Sequence, residues 1–379
     1  MKKSVITLFL LALIAFGSDG QTIRRVNASP GVTGVNVYTN FNDAQNAASA
    51  GDIIYFEPTV AGVGVSHVNI TITKTLTLIG TGYYLGQPNN TTPKNFVDGE
   101  ITLNTVTIEK TAPNTKIEGI TLVNGTTINA VNTEIKRCFV SGVQYNRTAS
   151  GNNGSNGKII QSTLIGSSSK IVGFGYEASN TVGGVCTTTP FQIENIEIRN
   201  NISKSSLTIE SINTTGYLNS GICSSPAQVG HFSNMIIANN TVGDKQSSSS
   251  LSIWRCENCT AHSNILSQFT TFPSNSVAVS KNVCDLACNA GANNLDNVDW
   301  TTLFSSGAIQ NIDKDLILSS TSPAIGAGLA GVDAGAFGGV NPYKLSGIPA
   351  FPILTNYTLS GVGNSSTPLN VSVTVRGNN

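Results

Sequence analysis

Two short runs in this chain set a carboxylate and a cation two residues apart around an isoleucine: "EIK", Glu134 to Lys136, and "EIR", Glu197 to Arg199. In an extended strand positions i and i+2 share a face, so each run presents one negative and one positive side chain together. Placed side by side, such pairs can polarise and deprotonate a uronate, or hold one by charge-assisted hydrogen bonds. The other reading is a set of solvated pairs on an exposed sheet, each contributing under about 1 kcal/mol. The choice depends on what brings the runs together.

An irregular repeat supplies that geometry. When "IENIEIRNNIS" (193–203) is laid on "FSNMIIANNTV" (232–242), Asn195 falls on Asn234, Ile198 on Ile237, and Asn200 and Asn201 on Asn239 and Asn240. The same frame puts Ile135, Ile160, Ile198, Ile237, Ala261 and Val279 in one column, with offsets of 25, 38, 39, 24 and 18 residues. A constant short core with loops of changing length is what a coiled parallel sheet requires, each turn lying about 4.8 Å from the last.

On this frame the outward neighbours are Glu134 and Lys136, then Ile159 and Gln161, then Glu197 and Arg199. Thr260 and His262 follow two coils later, after Ile236 and Ala238. Glu134 and Glu197 then lie roughly 10 Å apart across two strand spacings. Lys136, Glu197 and Arg199 are the candidates for catalysis; Glu134, Gln161 and His262 are candidates for binding.

Among aromatic residues, Tyr176 and Trp254 join the binding candidates, with Tyr83, Tyr84 and Phe272 also able to meet a sugar face. The insertions 143–157, 166–190 and 204–229 are where specificity would sit. Asn200, Asn201, Asn239, Asn240, Asn264 and Asn282 share a place just after the strand, as expected of corner residues that tolerate left-handed backbone and bond coil to coil. A sugar-binding ladder is the alternative role for them.

Before the repeat, "FNDAQNAASAGDIIYFEP" (41–58) predicts a short helix running into a strand. Asn42 can cap the first turn with Gln45 reaching back. Phe41, Ala44, Ala47 and Ala48 share a face, and Gly51 permits a left-handed exit. A stack of coils exposes its core and unpaired amides at each end, so an amphipathic helix there serves as a cap.

These residues resemble a known family. The cap helix with its Gly-Asp turn, followed by "VNITITKTLTLIGTG" (68–82), looks like the opening of extracellular right-handed parallel β-helix proteins of the pectate-lyase-like type. "SPAIGAGLAGVDAGAFGG" (322–339) is similar to the segment that closes many bacterial members. The resemblance implies an all-β solenoid, a right-handed parallel β-helix with an N-terminal capping helix, over residues 21–340; beyond it, the prolines and two alternating runs of 341–379 read as a C-terminal strand pair or tail.

Enzymes of this type act on acidic polysaccharides along one outer sheet, often through a basic residue and bound calcium, whereas other members have no known chemistry. The Asp-Asp pair, the Gly-His-Gly and the clustered carboxylates of the enzymatic families are missing from this sequence. The expectation is therefore a non-catalytic protein contacting polysaccharide or another surface, with a lyase or hydrolase, or a bare adhesive shaft, as alternatives.

Composition agrees with a β-rich exported chain: 11% charged residues, formal charge zero and 38 glycines. Such a balance disfavours nucleic acid and anionic membranes as partners. Lys2 and Lys3 precede an apolar run from Val5 to Phe16 and a small polar stretch, the layout of a signal peptide over residues 1–20. The run is too short to span a bilayer.

Seven cysteines in an exported chain point to disulfides. Cys256, Cys259, Cys284 and Cys288 can form two bridges of undetermined connectivity, or a tetrahedral zinc site. Cys186 and Cys223 can pair across the large insertions. Cys138 is left over, at an asparagine corner position, as a buried free thiol.

Overall fold

The structure is a computed structural model describing residues 21–58, 65–85, 99–148, 151–165, 169–176, 180–182, 185–187, 192–203, 206–211, 232–243, 250–254, 256–271, 277–288, 291–306, 314–350, 353–360 and 370–376. The proposed signal segment, Cys223, Phe272 and parts of the long insertions, above all 212–229, lie outside these residues.

Short β-branched runs separated by left-handed corners cannot fold back on themselves. They advance around a coil instead, and the coils stack. Three sheets result: sheet A of 11 strands, sheet B of nine and sheet C of eight, each paired in parallel between successive coils. One turn runs from sheet A through a tight corner to sheet B and on to sheet C, as in Lys116–Glu118, Thr121–Leu122 and Thr126–Ile128. This is a parallel β-helix.

Inside, Ile54, Leu78, Ile117, Ile135, Ile159, Ile198, Ile237 and Ala261 stack in register from sheet A, all fully buried. Each large member contributes about 1.5–3 kcal/mol of burial. The repeat frame is thereby corrected at one coil: Ile159, and not Ile160, occupies the column.

At the corner between sheets A and B, each coil spends two residues. The first is left-handed in Gly119, Arg137, Gln161, Asn200, Asn239, Ser263 and Lys281. The second points inward and forms a ladder: Asn201 Oδ1 accepts from Ser162 N, Asn240 Oδ1 from Asn201 N, Asn264 Oδ1 from Asn240 N, and Asn282 Oδ1 from Asn264 N, at 2.9–3.0 Å. Each Nδ2 donates to a sheet A carbonyl, as Asn240 does to Ile198 O. Asn201, Asn240, Asn264 and Asn282 are thus buried structural residues, and Cys138, a free buried thiol, stands at the head of the same column.

The helix Phe41–Ala47 buries Phe41, Ala44 and Gln45 against the first coils. Its cap is Asn40, whose side chain accepts from Asp43 N, and not Asn42. Gln45 does not reach back either: its amide donates to Thr71 O and accepts from Thr73 N, closing the edge strand Ile70–Ile72 of sheet C. Lys74 Nζ then reaches the carbonyls of Gln45, Asn46 and Ala48 at the helix C-terminus.

Two elements were not evident in the sequence. Strands Ile23–Val26 and Val37–Tyr38 precede the helix and begin sheet A. At the other end of the chain, residues 322–350 turn back and run along the outside of the A–B corner as a strap, from the coil of Ser263 to that of Glu118.

Four left-handed corner side chains hold carbonyls of the strap. Asn239 donates to Asp333 O, Asn200 to Ala336 O and Gly338 O, Gln161 to Pro342 O, and Arg137 to Ile348 O. Gly119 must be glycine here, since an added Cβ would lie 2.3 Å from Pro349 Cγ.

Under the strap a second core forms on the outer face of sheet B. Ile202, Ile265 and Val283 meet Tyr83, Trp300, Leu303, Ala334 and Tyr343. The final strands, Ile353–Ser360 and Asn370–Arg376, make an antiparallel hairpin.

Candidate functional site

The outer face of sheet A carries the charges singled out in the sequence. Register sets Lys116, Glu134, Lys158 and Glu197 in one row and Glu118, Lys136, Ile160 and Arg199 in the other. Gln161 is not on this face. The one-residue correction at Ile159 turns it into the left-handed corner, where it is buried, accepts from Arg137 Nε and donates to the strap. Ile160 takes its place between Lys136 and Arg199, and Lys158 replaces Ile159 between Glu134 and Glu197.

The row Lys116, Glu134, Lys158, Glu197 alternates in sign across neighbouring strands, while the other is interrupted by Ile160. Glu197 Oε2 lies 3.6 Å from Lys158 Nζ and 3.5 Å from Arg199 Nε, and Glu118 Oε1 lies 4.0 Å from Lys136 Nζ. The two cross-strand pairs, Lys158–Glu197 and Glu118–Lys136, favour this register and supply modest stability, and Glu197–Arg199 is a pair within one strand. Lys136 and Arg199 are separated by Ile160, so the three residues suggested for catalysis do not converge on one point.

Glu118 has a second task at the strap's far end. It accepts from Ala350 N at 3.3 Å and faces Arg137 NH1 at 3.4 Å. Burial lowers the pKa of Arg137, while the charge of Glu118 opposes that shift. His262 follows Arg199 and Ala238 along the row and bonds through Nδ1 to Ser263 Oγ at 3.1 Å. Burial, and then the charge of Arg199, lower its pKa.

The outer face of sheet C is different in kind. Thr71, Thr107, Thr127, Gln144, Val172 and Glu210 follow one another strand by strand along one row. Trp254 continues the row one residue past the paired Ile209 and Ile253, its amide donating to Ile209 O. Its surface is 41% exposed, a large fraction for an indole on a sheet. Glu210 and Thr208 stand on the preceding strand, and Ser252 two residues before the indole.

The sequence named Trp254, but not this setting, because sheet C strands show only one outward residue between two apolar ones. Tyr176 ends the strand Ser169–Tyr176 beside Thr148; its side chain lies outside the described residues. Tyr83 is withdrawn from the sugar-facing set. It is 1% exposed and its hydroxyl meets Tyr343 OH at 2.5 Å, with Thr163 Oγ1 bonded to both.

Cys256–Cys259 and Cys284–Cys288 are disulfides, so those four sulfurs are paired with each other and do not form the zinc set. Asp296 lies near the second bridge, but its Oδ1 accepts from Cys288 N. Cys186 falls in the strand Val185–Thr187, with its side chain outside the described residues.

A β-helix of three parallel sheets, closed by a cap helix and bound by a C-terminal strap, is the class of protein these observations define. No protein-family model matches the chain, and no curated protein matches it. Among solved structures, the crystal structure of pectate lyase Pel9A is similar over 85% of this chain and 97% of that one, at 13% identity and a TM-score of 0.37. At that score the likeness adds nothing to what the strand register establishes, and the site residues stand on their own chemistry.

Proposed function

We propose that this protein is a non-catalytic, exported β-helix that holds polysaccharide against the outer face of sheet C. The observation that carries the reading is Trp254: an exposed indole just past the end of a sheet C strand, with a hydroxyl on that strand and a carboxylate and a hydroxyl on the adjoining one. An aromatic face takes up the apolar side of a sugar ring while acceptors and donors beside it meet the hydroxyls. Lys136, Lys158 and Arg199 support the non-catalytic reading, since each is matched to a carboxylate within the sheet. Export rests on the N-terminal segment and on the two disulfides.

The test is chromatography of a panel of plant, algal and animal polysaccharides, before and after incubation with the protein and calcium. Co-elution with one glycan at unchanged size, lost in Trp254→Ala while folding is kept, is the expected result. Shortened chains would overturn the non-catalytic reading and return attention to Lys136, Glu197 and Arg199 with calcium. Co-elution with none would leave a shaft without glycan ligand.

A further inference from the structure

The strap is attached to the β-helix almost wholly through groups that do not titrate near neutral pH: the amides of Asn239, Asn200 and Gln161, the Thr241 hydroxyl, and the Arg137 guanidinium. The attachment at Ser263 is of another kind. Its Oγ accepts from Leu329 N at 2.8 Å, its carbonyl accepts from Gly335 N at 2.8 Å, and Oγ also touches His262 Nδ1 at 3.1 Å.

With His262 neutral and Nδ1 unprotonated, Ser263 donates its hydroxyl hydrogen to Nδ1 and keeps a lone pair for Leu329 N–H. Protonated His262 carries a hydrogen on Nδ1, so both Nδ1–H and Leu329 N–H point at Oγ and the hydroxyl hydrogen must find another acceptor. Ser263 is fully buried, and Gly328 lies so close over it that an added Cβ would sit 3.0 Å from Oγ. Among the described contacts no other acceptor is in place, and an orphaned buried donor is costly.

The segment that must yield is loosely built. Leu329 is 49% exposed, Ala330 sits at φ 59°, and the turn Leu329–Gly331 is closed by Gly328 N to Val332 O at 2.8 Å and two longer bonds, Gly331 N to Gly328 O at 3.2 Å and Val332 N to Leu329 O at 3.5 Å. Arg199, in the same row, is the charge that acts on His262, and it opposes protonation. Lys281 stands at the next corner, its carbonyl accepting from Ser263 N, and Asp333 on the strap is engaged with Gly326 N through Oδ1. Its strand neighbours, Ala238 and Ser280, are uncharged.

We infer that His262 and Ser263 form a proton-operated latch: on taking up a proton at Nδ1, His262 releases Leu329 and opens residues 326–332, while the strap from Asp333 onward stays docked. Acidification of the surroundings, as in a soured extracellular medium, then exposes a loop that is closed at neutral pH.

Hydrogen exchange read by mass spectrometry on the full chain tests this, with intrinsic rates corrected for pH. Between about pH 7.5 and about pH 4, a range that reaches well below ordinary imidazole titration because burial and Arg199 lower the pKa of His262, the Leu329 amide should lose protection about tenfold or more, the weight of one orphaned buried group. Peptides covering 333–343 should hold theirs. His262→Asn, whose amide oxygen can accept in place of Nδ1 and does not titrate, should give a flat profile, and Ser263→Ala should give low protection at every pH.

A profile for the wild type that is flat, or a fall that persists in His262→Asn, overturns the latch. If His262→Asn does not fold, the decision passes to NMR of the wild type: the midpoints of the His262 ring and of the Leu329 amide must coincide, and separate midpoints reject the coupling.

Discussion

Replacing Arg137 by Ala should detach the far end of the strap. Arg137 is left-handed at φ 51°, as Ala would have to be, so the change removes the side chain without altering the backbone demand. The side chain is 5% exposed and serves Gln161 Oε1 at 3.1 Å, Ile348 O at 3.0 Å and Glu118 at 3.4 Å. Its loss strands two buried acceptors, each costing about 1–3 kcal/mol. Glu118 loses less, because Lys136 and Ala350 N remain beside it. The sum is about 3 kcal/mol, near the lower end for breaking a buried ion pair.

In a chain of this size that lowers the melting temperature by about 5 °C. Calorimetry reads the shift, and hydrogen exchange should show the amides of 346–350 opening first. A melting temperature within about 1 °C of wild type, with exchange unchanged, would mean that the second core alone holds the strap and that the corner side chains are incidental. Arg137→Gly separates the terms, since it removes the same contacts but relieves the left-handed strain by about 1 kcal/mol.

Asn240→Leu should cost about 3 kcal/mol or more by urea unfolding, because Asn201 N, Ile198 O and Asn264 Oδ1 all lose a buried partner; with Asn264→Leu added, the total should fall short of the sum. His67 is half-buried, 5.0 Å from the Phe56 ring, with Nε2 unpartnered among the described residues, and burial lowers its pKa. The unfolded chain therefore takes up a proton near pH 6.5 that the native one refuses, and stability drops as pH falls below about 6.5, by up to about 1.4 kcal/mol per unit until the native state also titrates. His67→Leu should flatten that slope in denaturation curves taken across the range. The Cys138 thiol, pushed up to about 12 by burial, should ignore thiol reagents in the native protein and react only after unfolding; prompt labelling would contradict its place in the ladder.

The coil itself was legible because its signals are local and repeated: an apolar residue, then a corner asparagine at a fixed distance. The misplacement at Ile160 came from "KIIQ", where two isoleucines fit the column equally well. The ladder resolves it, since Ser162 stands three residues after Ile159 as Asn201 stands three after Ile198. The charged rows were readable from "EIK" and "EIR", but whether they converge depends on the register of the coil between them.

The strap was not legible. It is held through its main chain, by side chains on six different coils, and a segment bound by its backbone needs no periodic pattern of its own. Gln45 was hidden for a similar reason: a capping-box spacing and an edge-closing amide look alike until the neighbouring strand is known. Trp254 was visible as a residue, while its neighbours Glu210 and Thr208 come from a strand more than 40 residues earlier.

The direction of the strap bears on how the chain comes to be folded. Coils can stack in order as they emerge, each resting on the one before. Tyr83, however, bonds to Tyr343, 260 residues later, and Arg137 and Glu118 wait for Ile348 and Ala350. The outer side of sheet B therefore stays bare until nearly the whole chain has emerged. Contacts so distant in sequence form slowly, which makes docking of the strap the last step of folding.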